Sequence, residues 1–378
     1  MSSLPVRETS SGPTNGALPR GSAPQGAAAR LPVPRPRGPL SALLLTTLTA
    51  GPPAGSADPW ASPLLRAAEE AADAAADPLR DDDTQLALAV LYELHHRGVE
   101  GVDDAWEWEP GLLSARRVLE VPFEAALRRR AGQPVATESD AAGFARRLFE
   151  FVADDGGPAL ARYLARRADR EQAREWLALR SLYQLREADP HSWALPRLAG
   201  APKSALVEIQ ADEYGGGRAG RTHAELFART LRGAGLDDRY GRYVDVAPVP
   251  VLAALNTMSL LGLHRRLRGA IVGHLAAYEM TSPIPSRLYG DGFRRLGYDA
   301  DTTLYFDEHV EADAVHEQIA ARDLAGRLVE QEPGLRDDVL FGAAVCLAVE
   351  GDAAAHTLTR WKEGRSALRA PLDDPEET

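Results

Sequence analysis

The 378-residue sequence contains one cysteine, Cys346, which excludes an intrachain disulfide, a four-thiolate zinc site and a thiolate-held iron–sulfur cluster. Any metal must be held by histidine and carboxylate. Cationic residues are also short: 43 Lys and Arg stand against 55 Asp and Glu, a net charge of -12 that gives no electrostatic footprint for nucleic acid. No run approaches the roughly 18 to 20 uninterrupted apolar residues that cross a bilayer, so a membrane partner is not expected. The apolar segment from Leu40 to Ala50 has the size of a signal-peptide core. The proline-rich lead in front of it, about 39 residues, argues against that role, and with no disulfides a cytoplasmic location is expected. Alternating apolar residues are scarce as well. The one extended-looking run, YVDVAPVPV, is spoiled as a central strand by its prolines.

What remains reads as helix. With 44% apolar and 26% charged residues, the composition is that of one or two globular domains. Residues 1–38, rich in Pro, Gly, Ala and Ser, are expected to form a disordered tail. Helical apolar spacing then runs through 85–96 and 141–153, which predicts an amino-terminal helical layer over 39–168. Arg170 to Ala188 reads as a strong helix that Asp189-Pro190 stops. A second begins near Lys203, meets Gly215-Gly216-Gly217 and resumes through His223. Pro248 and Pro250 precede a long helix from about Asn256 to Thr281, which Pro283 and Pro285 close. Two more helices, over about 302–330 and 335–362, lead into an acidic tail at 366–378. The expected fold class is all-α, with no solenoid repeat.

Chemistry concentrates on a few inward positions. His309, Asp313 and His316 lie within about 60° of one another on a helix advancing about 100° per residue, and Tyr305, Ala312 and Ile319 share their stripe. Two imidazoles and a carboxylate therefore converge on the buried side. Glu187 continues the stripe of Trp176 and Tyr183, Glu213 that of Leu206 and Ile209, and Glu279 that of Val272 and Leu275. Each glutamate alone has an ordinary salt bridge as its plainer explanation. Four acids on core-facing stripes beside two histidines point instead to a shared cation, because burying an unpaired carboxylate costs several kcal/mol. Oxygen and imidazole ligands suit iron or manganese, and helical bundles build dinuclear sites this way. His264 and His274 read as core or surface histidines, Cys346 as a core residue, and the Gly269, Ala270, Gly273, Ala276 and Ala277 stripe as a close helix contact.

Glu187, Glu213, His223, Glu279, His309, Asp313 and His316, in that order, resemble the seven-ligand pattern of the haem-oxygenase-like diiron oxidases and oxygenases. The segments ADEYGGG, HAELF, LHRRLRGAIVGHLAAYEMTS and EHVEADAVHEQI also resemble iron-containing redox enzymes. The resemblance implies a haem-oxygenase-like bundle over 169–365, two iron ions (Fe2+) held by those seven residues, and O2 as co-substrate. It implies no catalytic residue beyond the ligands. Such enzymes N-oxygenate amines, decarboxylate fatty acids or fragment amino acids, and the histidine added at His309 is most similar to the N-oxygenase branch. Haem binding and a non-catalytic helical role are the competing readings. Partners implied are a small-molecule substrate and an external electron donor or reductase, with a homodimer left open. Arg265, Arg266 and Arg268 are the candidates for holding a substrate carboxylate.

Overall fold

The computed structural model describes residues 29–52, 61–132, 134–154, 156 and 159–372, except the side chains of Glu311, Asp313 and Ala314. Among the described residues the chain is all-α, as expected, and its one backbone bridge joins Leu31 to Val99. The amino-terminal layer holds α1 (Pro39–Thr49), α2 (Ala61–Ala74), α3 (Asp82–Glu93), α4 (Pro110–Ala131), α5 (Ala141–Ala153) and α6 (Ala159–Arg166). The bundle that follows holds α7 (Arg170–Gln184), the single turn α8 (Asp189–Ser192), α9 (Gly200–Glu213), α10 (His223–Gly233), α11 (Val249–Leu263), α12 (Arg268–Thr281), α13 (Pro283–Arg295), α14 (Ala300–Gln318), α15 (Arg327–Gln331) and α16 (Arg336–Lys362). Residues Ile319–Gly326 join α14 to α15 as a π-helix.

Local chemistry sets these boundaries. The side chains of Asp81, Asp140, Asp169, Thr222 and Asp299 each accept a backbone N–H at the start of α3, α5, α7, α10 and α14. Pro39, Pro110 and Pro283 occupy first helical turns, where the missing N–H costs nothing. The Gly stripe on α12 is a backbone contact. A Cβ on Gly273 would collide with the Val339 carbonyl, and one on Gly342 with that of Ala270, so α12 and α16 touch main chain to main chain. By length and composition α16 with its leading turn is able to cross a bilayer. Here its Val339, Leu340, Ala343 and Val345 are buried in the bundle with Cys346.

Three expectations need correction. The long helix over 256–281 is two: Arg197 donates to the Gly262 and Leu263 carbonyls, which caps α11, and the chain turns at His264 before α12. The second of them ends at Thr281, as Pro283 and Pro285 imply, and Pro283 also opens α13. Residues 1–28 of the expected tail lie outside the described residues, but Leu31 is buried and Arg37 pairs with Asp82 at 2.8 Å, so the stretch after residue 28 is packed. The acidic tail is likewise anchored at its start, where Ala367 is buried and donates to Glu175, while 373–378 lie outside the described residues. The signal-like segment from Leu40 is α1, with Leu40, Leu44, Leu45 and Leu48 in the core.

Candidate metal centre

Five elements converge between α7 and α14. Glu187 comes from the turn after α7, Glu213 ends α9, His223 opens α10, Glu279 lies in the last turn of α12, and His309 and His316 are two turns apart on α14. Glu187, Glu213, His223 and His309 each offer a ligand atom within 4.8 Å of the others, and so, as a second group, do Glu213, Glu279 and His316. Glu213 belongs to both. Its Oε2 lies 2.8 Å from His223 Nδ1, and its Oε1 lies 3.9 Å from His316 Nδ1. His309 Nε2 is 3.5 Å from Glu187, and His316 Nδ1 is 3.5 Å from Glu279.

The surrounding side chains fix these orientations. His309 Nδ1 lies 2.8 Å from the Tyr305 carbonyl, which only accepts, so that nitrogen carries the proton and Nε2 presents its lone pair to the centre. Tyr305 in turn donates its hydroxyl to both oxygens of Glu187 at 2.9 Å. Asp212 contacts His316 Nε2 at 3.1 Å, the carboxylate–imidazole arrangement that orients metal-bound histidines. Between the α9 and α10 ligands, Gly215, Gly216 and Gly217 all have φ between 63° and 73°. A Cβ on Gly215 would sit 2.5 Å from the Arg221 carbonyl carbon, so only glycine closes this loop.

Electrostatics favour a cation. Burial opposes ionisation of Glu213, but the charges of His223, His309 and His316 and the His223 hydrogen bond bring it down to about 2. Burial also opposes a charge on His316, yet Glu279, Asp212 and Glu213 lift it to about 9. His223 is raised too, with Glu213 outweighing burial. Where no metal is bound, protons on these rings supply the positive charge that three buried carboxylates require. The donor set, carboxylate oxygen and imidazole nitrogen with no thiolate, fits iron.

Residues 174–351 match the family described as iron-containing redox enzyme, and this span includes every member of both ligand groups. That segment is thus similar to the iron-containing redox enzymes. Its haem-oxygenase-like bundle is the one the sequence resembles. The chain is also 32% identical over 213 residues to a nitrosourea synthase from Streptomyces achromogenes subsp. streptozoticus, covering 55% of this chain and 45% of the relative. It therefore spans under half the length of that relative.

Within the matched segment, the structure brings together Glu187, Glu213, His223, Glu279, His309 and His316. The side chain of Asp313 lies outside the described residues. The arginine expectation is corrected: Arg266 pairs with Glu124, Arg268 with Glu332, and Arg265 is exposed. Arg268 opens α12, about 16 Å along the helix from Glu279, and none of the three lines the cavity at the centre. His264 pairs with Glu120, and His274 is buried in the core.

That cavity is lined instead by Tyr183, His191, Gln210 and Ser282 beside Glu187, Glu213, Glu279 and His309. Gln210 is on the Glu213 face of α9 one turn earlier, a periodicity visible in the sequence once Glu213 is chosen. Both its amide protons are used, on the Ala188 carbonyl at 2.9 Å and Ser192 Oγ at 2.6 Å, leaving a buried Oε1 without a hydrogen bond. His191 pairs with His274 through Nε2 at 3.2 Å, and its buried Nδ1 has no hydrogen bond. Burial and the neighbouring His274 hold His191 well below the usual histidine range, so it is neutral.

Proposed function

We propose that the protein is a non-haem diiron oxygenase that uses O2 to N-oxygenate an amine-bearing small metabolite. The observation carrying this reading is that Glu213 is common to two ligand groups, one for each ion, with a separate oxygen turned towards each. Two bound iron ions would supply electrons to O2 and deliver oxygen to the substrate.

The chain's own residues do the rest. Glu187, His223 and His309 hold one position and Glu279 and His316 the other, with Glu213 between them. Tyr305 and Asp212 keep Glu187 and His316 in register. Gln210 Oε1, fixed as an acceptor by the two bonds its amide nitrogen donates, is suited to an N–H of the substrate. His191 Nδ1 accepts or donates according to which ring of the His191–His274 pair holds the shared proton. No Lys or Arg lines the cavity, so a substrate carboxylate would find no side-chain cation there. The name of the nitrosourea synthase specifies a product with oxygen on nitrogen, which favours the same chemistry. An external reductant completes the electron supply.

The test is mass spectrometry after the iron-loaded, reduced protein is mixed with 18O2 and candidate amines. Label retained on nitrogen supports the reading. Released CO2 with an alkene or aldehyde would assign C–C cleavage to the same centre. Haem uptake without iron binding would assign neither.

A further inference from the structure

Glu187 stands apart from the other ligands. Glu213, His223, Glu279, His309 and His316 are carried on helices, whereas Glu187 lies in the turn 185–188, and the residue after it, Ala188, is the only described non-glycine with positive φ, at 72°. The backbone there keeps only tight-turn bonds after the helix, Arg186 N–H to the Tyr183 carbonyl at 2.8 Å and Glu187 N–H to that of Gln184 at 3.3 Å. Side-chain anchoring adds to them, and much of it comes from the amino-terminal layer.

Arg186, 5% exposed, reaches Glu93 at the end of α3 at 3.1 Å. Glu93, 4% exposed, also accepts both bonds from the Tyr240 hydroxyl, at 2.9 and 2.8 Å, and one from the Arg97 backbone N–H at 3.3 Å. On the other side of Glu187, Asp189 is 3.4 Å from the Arg97 guanidinium, which lies over the Tyr240 ring, and accepts from Tyr214, the residue after Glu213. The turn is thus clamped before and after Glu187 by residues 93 and 97. A buried arginine and glutamate are costly to bring out of water and are retained only where the pair is fully engaged.

We propose that the amino-terminal layer is part of the metal centre, with Glu93 and Arg97 acting as positioning residues that set Glu187 through Arg186 and Asp189. This rests on the two-metal reading above and adds an asymmetry to it. Glu187 takes its position from the layer, whereas Glu279 and His316 are carried by α12 and α14 and the shared Glu213 by α9.

The experiment is calorimetric titration of the full-length protein with Co2+, which resolves the number of bound ions and their separate affinities, on wild type and two variants. Glu93→Gln with Arg186→Met removes the ion pair without leaving a buried charge unpaired. Asp189→Asn breaks the other clamp at a partly exposed site. Both are expected to keep two ions per chain and weaken one of them by about 10- to 100-fold, the range for losses that act through a ligand, while the other stays within about threefold. Circular dichroism confirms that each variant is folded. Equal weakening of both ions in a folded variant, or unchanged affinities in Asp189→Asn, overturns the positioning role. Fewer than two ions in wild type overturns the two-metal reading instead.

Discussion

The carboxylate of Glu213 lies 2.8 Å from His223 Nδ1 through Oε2, while its other oxygen faces His316 on a different helix. One side chain at the end of α9 therefore ties together the set that holds His223 of α10 and His309 of α14 and the set that holds Glu279 of α12 and His316 of α14.

Glu213→Ala should consequently abolish tight binding of both ions. His223→Ala should weaken one position and His316→Ala the other, each by at least about 10- to 100-fold. Iron content after dialysis, with affinities from titration, distinguishes the patterns. Independent effects of the same size for all three variants would show that Glu213 is not shared.

Much of this centre is legible in the sequence. The spacing of His309 and His316 puts both rings on the buried stripe of one helix, and Glu213 and Glu279 betray themselves by continuing apolar stripes. Glu187 also falls on such a stripe, yet its position comes from a turn held by Glu93 and Arg97, roughly ninety residues earlier in the chain, and no periodicity reveals that. The break between α11 and α12 is hidden for the same reason. No proline marks it, Gly262 stands inside the last turn of α11 rather than after it, and the cap is supplied by Arg197. The arginines at 265, 266 and 268 look like an anion site in the sequence because their acidic partners, Glu124 and Glu332, are brought near only by folding.

Metal uptake should depend on pH. His316 is raised from 6.5 to about 9, so between those values it is protonated in the metal-free fold and an incoming ion must displace that proton. Affinity is expected to rise with pH up to about 9, by as much as about tenfold per unit for each proton displaced. The same shift stabilises the metal-free protein fully below pH 6.5 and ceases to do so as pH rises through about 9. Calorimetry in buffers of different ionisation enthalpy reads proton release directly. No release at pH 7 would contradict the assignment of His316.

The glycine loop gives a position-specific prediction. Gly216→Ala meets no atom within 4 Å and should cost only the left-handed backbone penalty, about 1 kcal/mol. Gly215→Ala adds a clash with the Arg221 main chain and should cost more, displacing His223 relative to Glu213. Thermal melts with and without metal would check the order. Equal costs would mean that the loop shifts freely.

Tyr305→Phe removes the hydroxyl that bonds both oxygens of Glu187. Affinity at the Glu187 position should fall by about tenfold, with the other position unchanged. Competition with a chelator of known affinity measures this, and a wild-type profile would assign Tyr305 to packing alone.

The measurement that bears most directly on the central claim is electron paramagnetic resonance of the wild-type protein loaded with Mn2+ to saturation. Two ions bridged by the Glu213 carboxylate should give the spectrum of an exchange-coupled pair at two equivalents per chain, and Glu213→Ala should lose it. Saturation at one equivalent with only the hyperfine pattern of an isolated ion would contradict a shared, dinuclear centre.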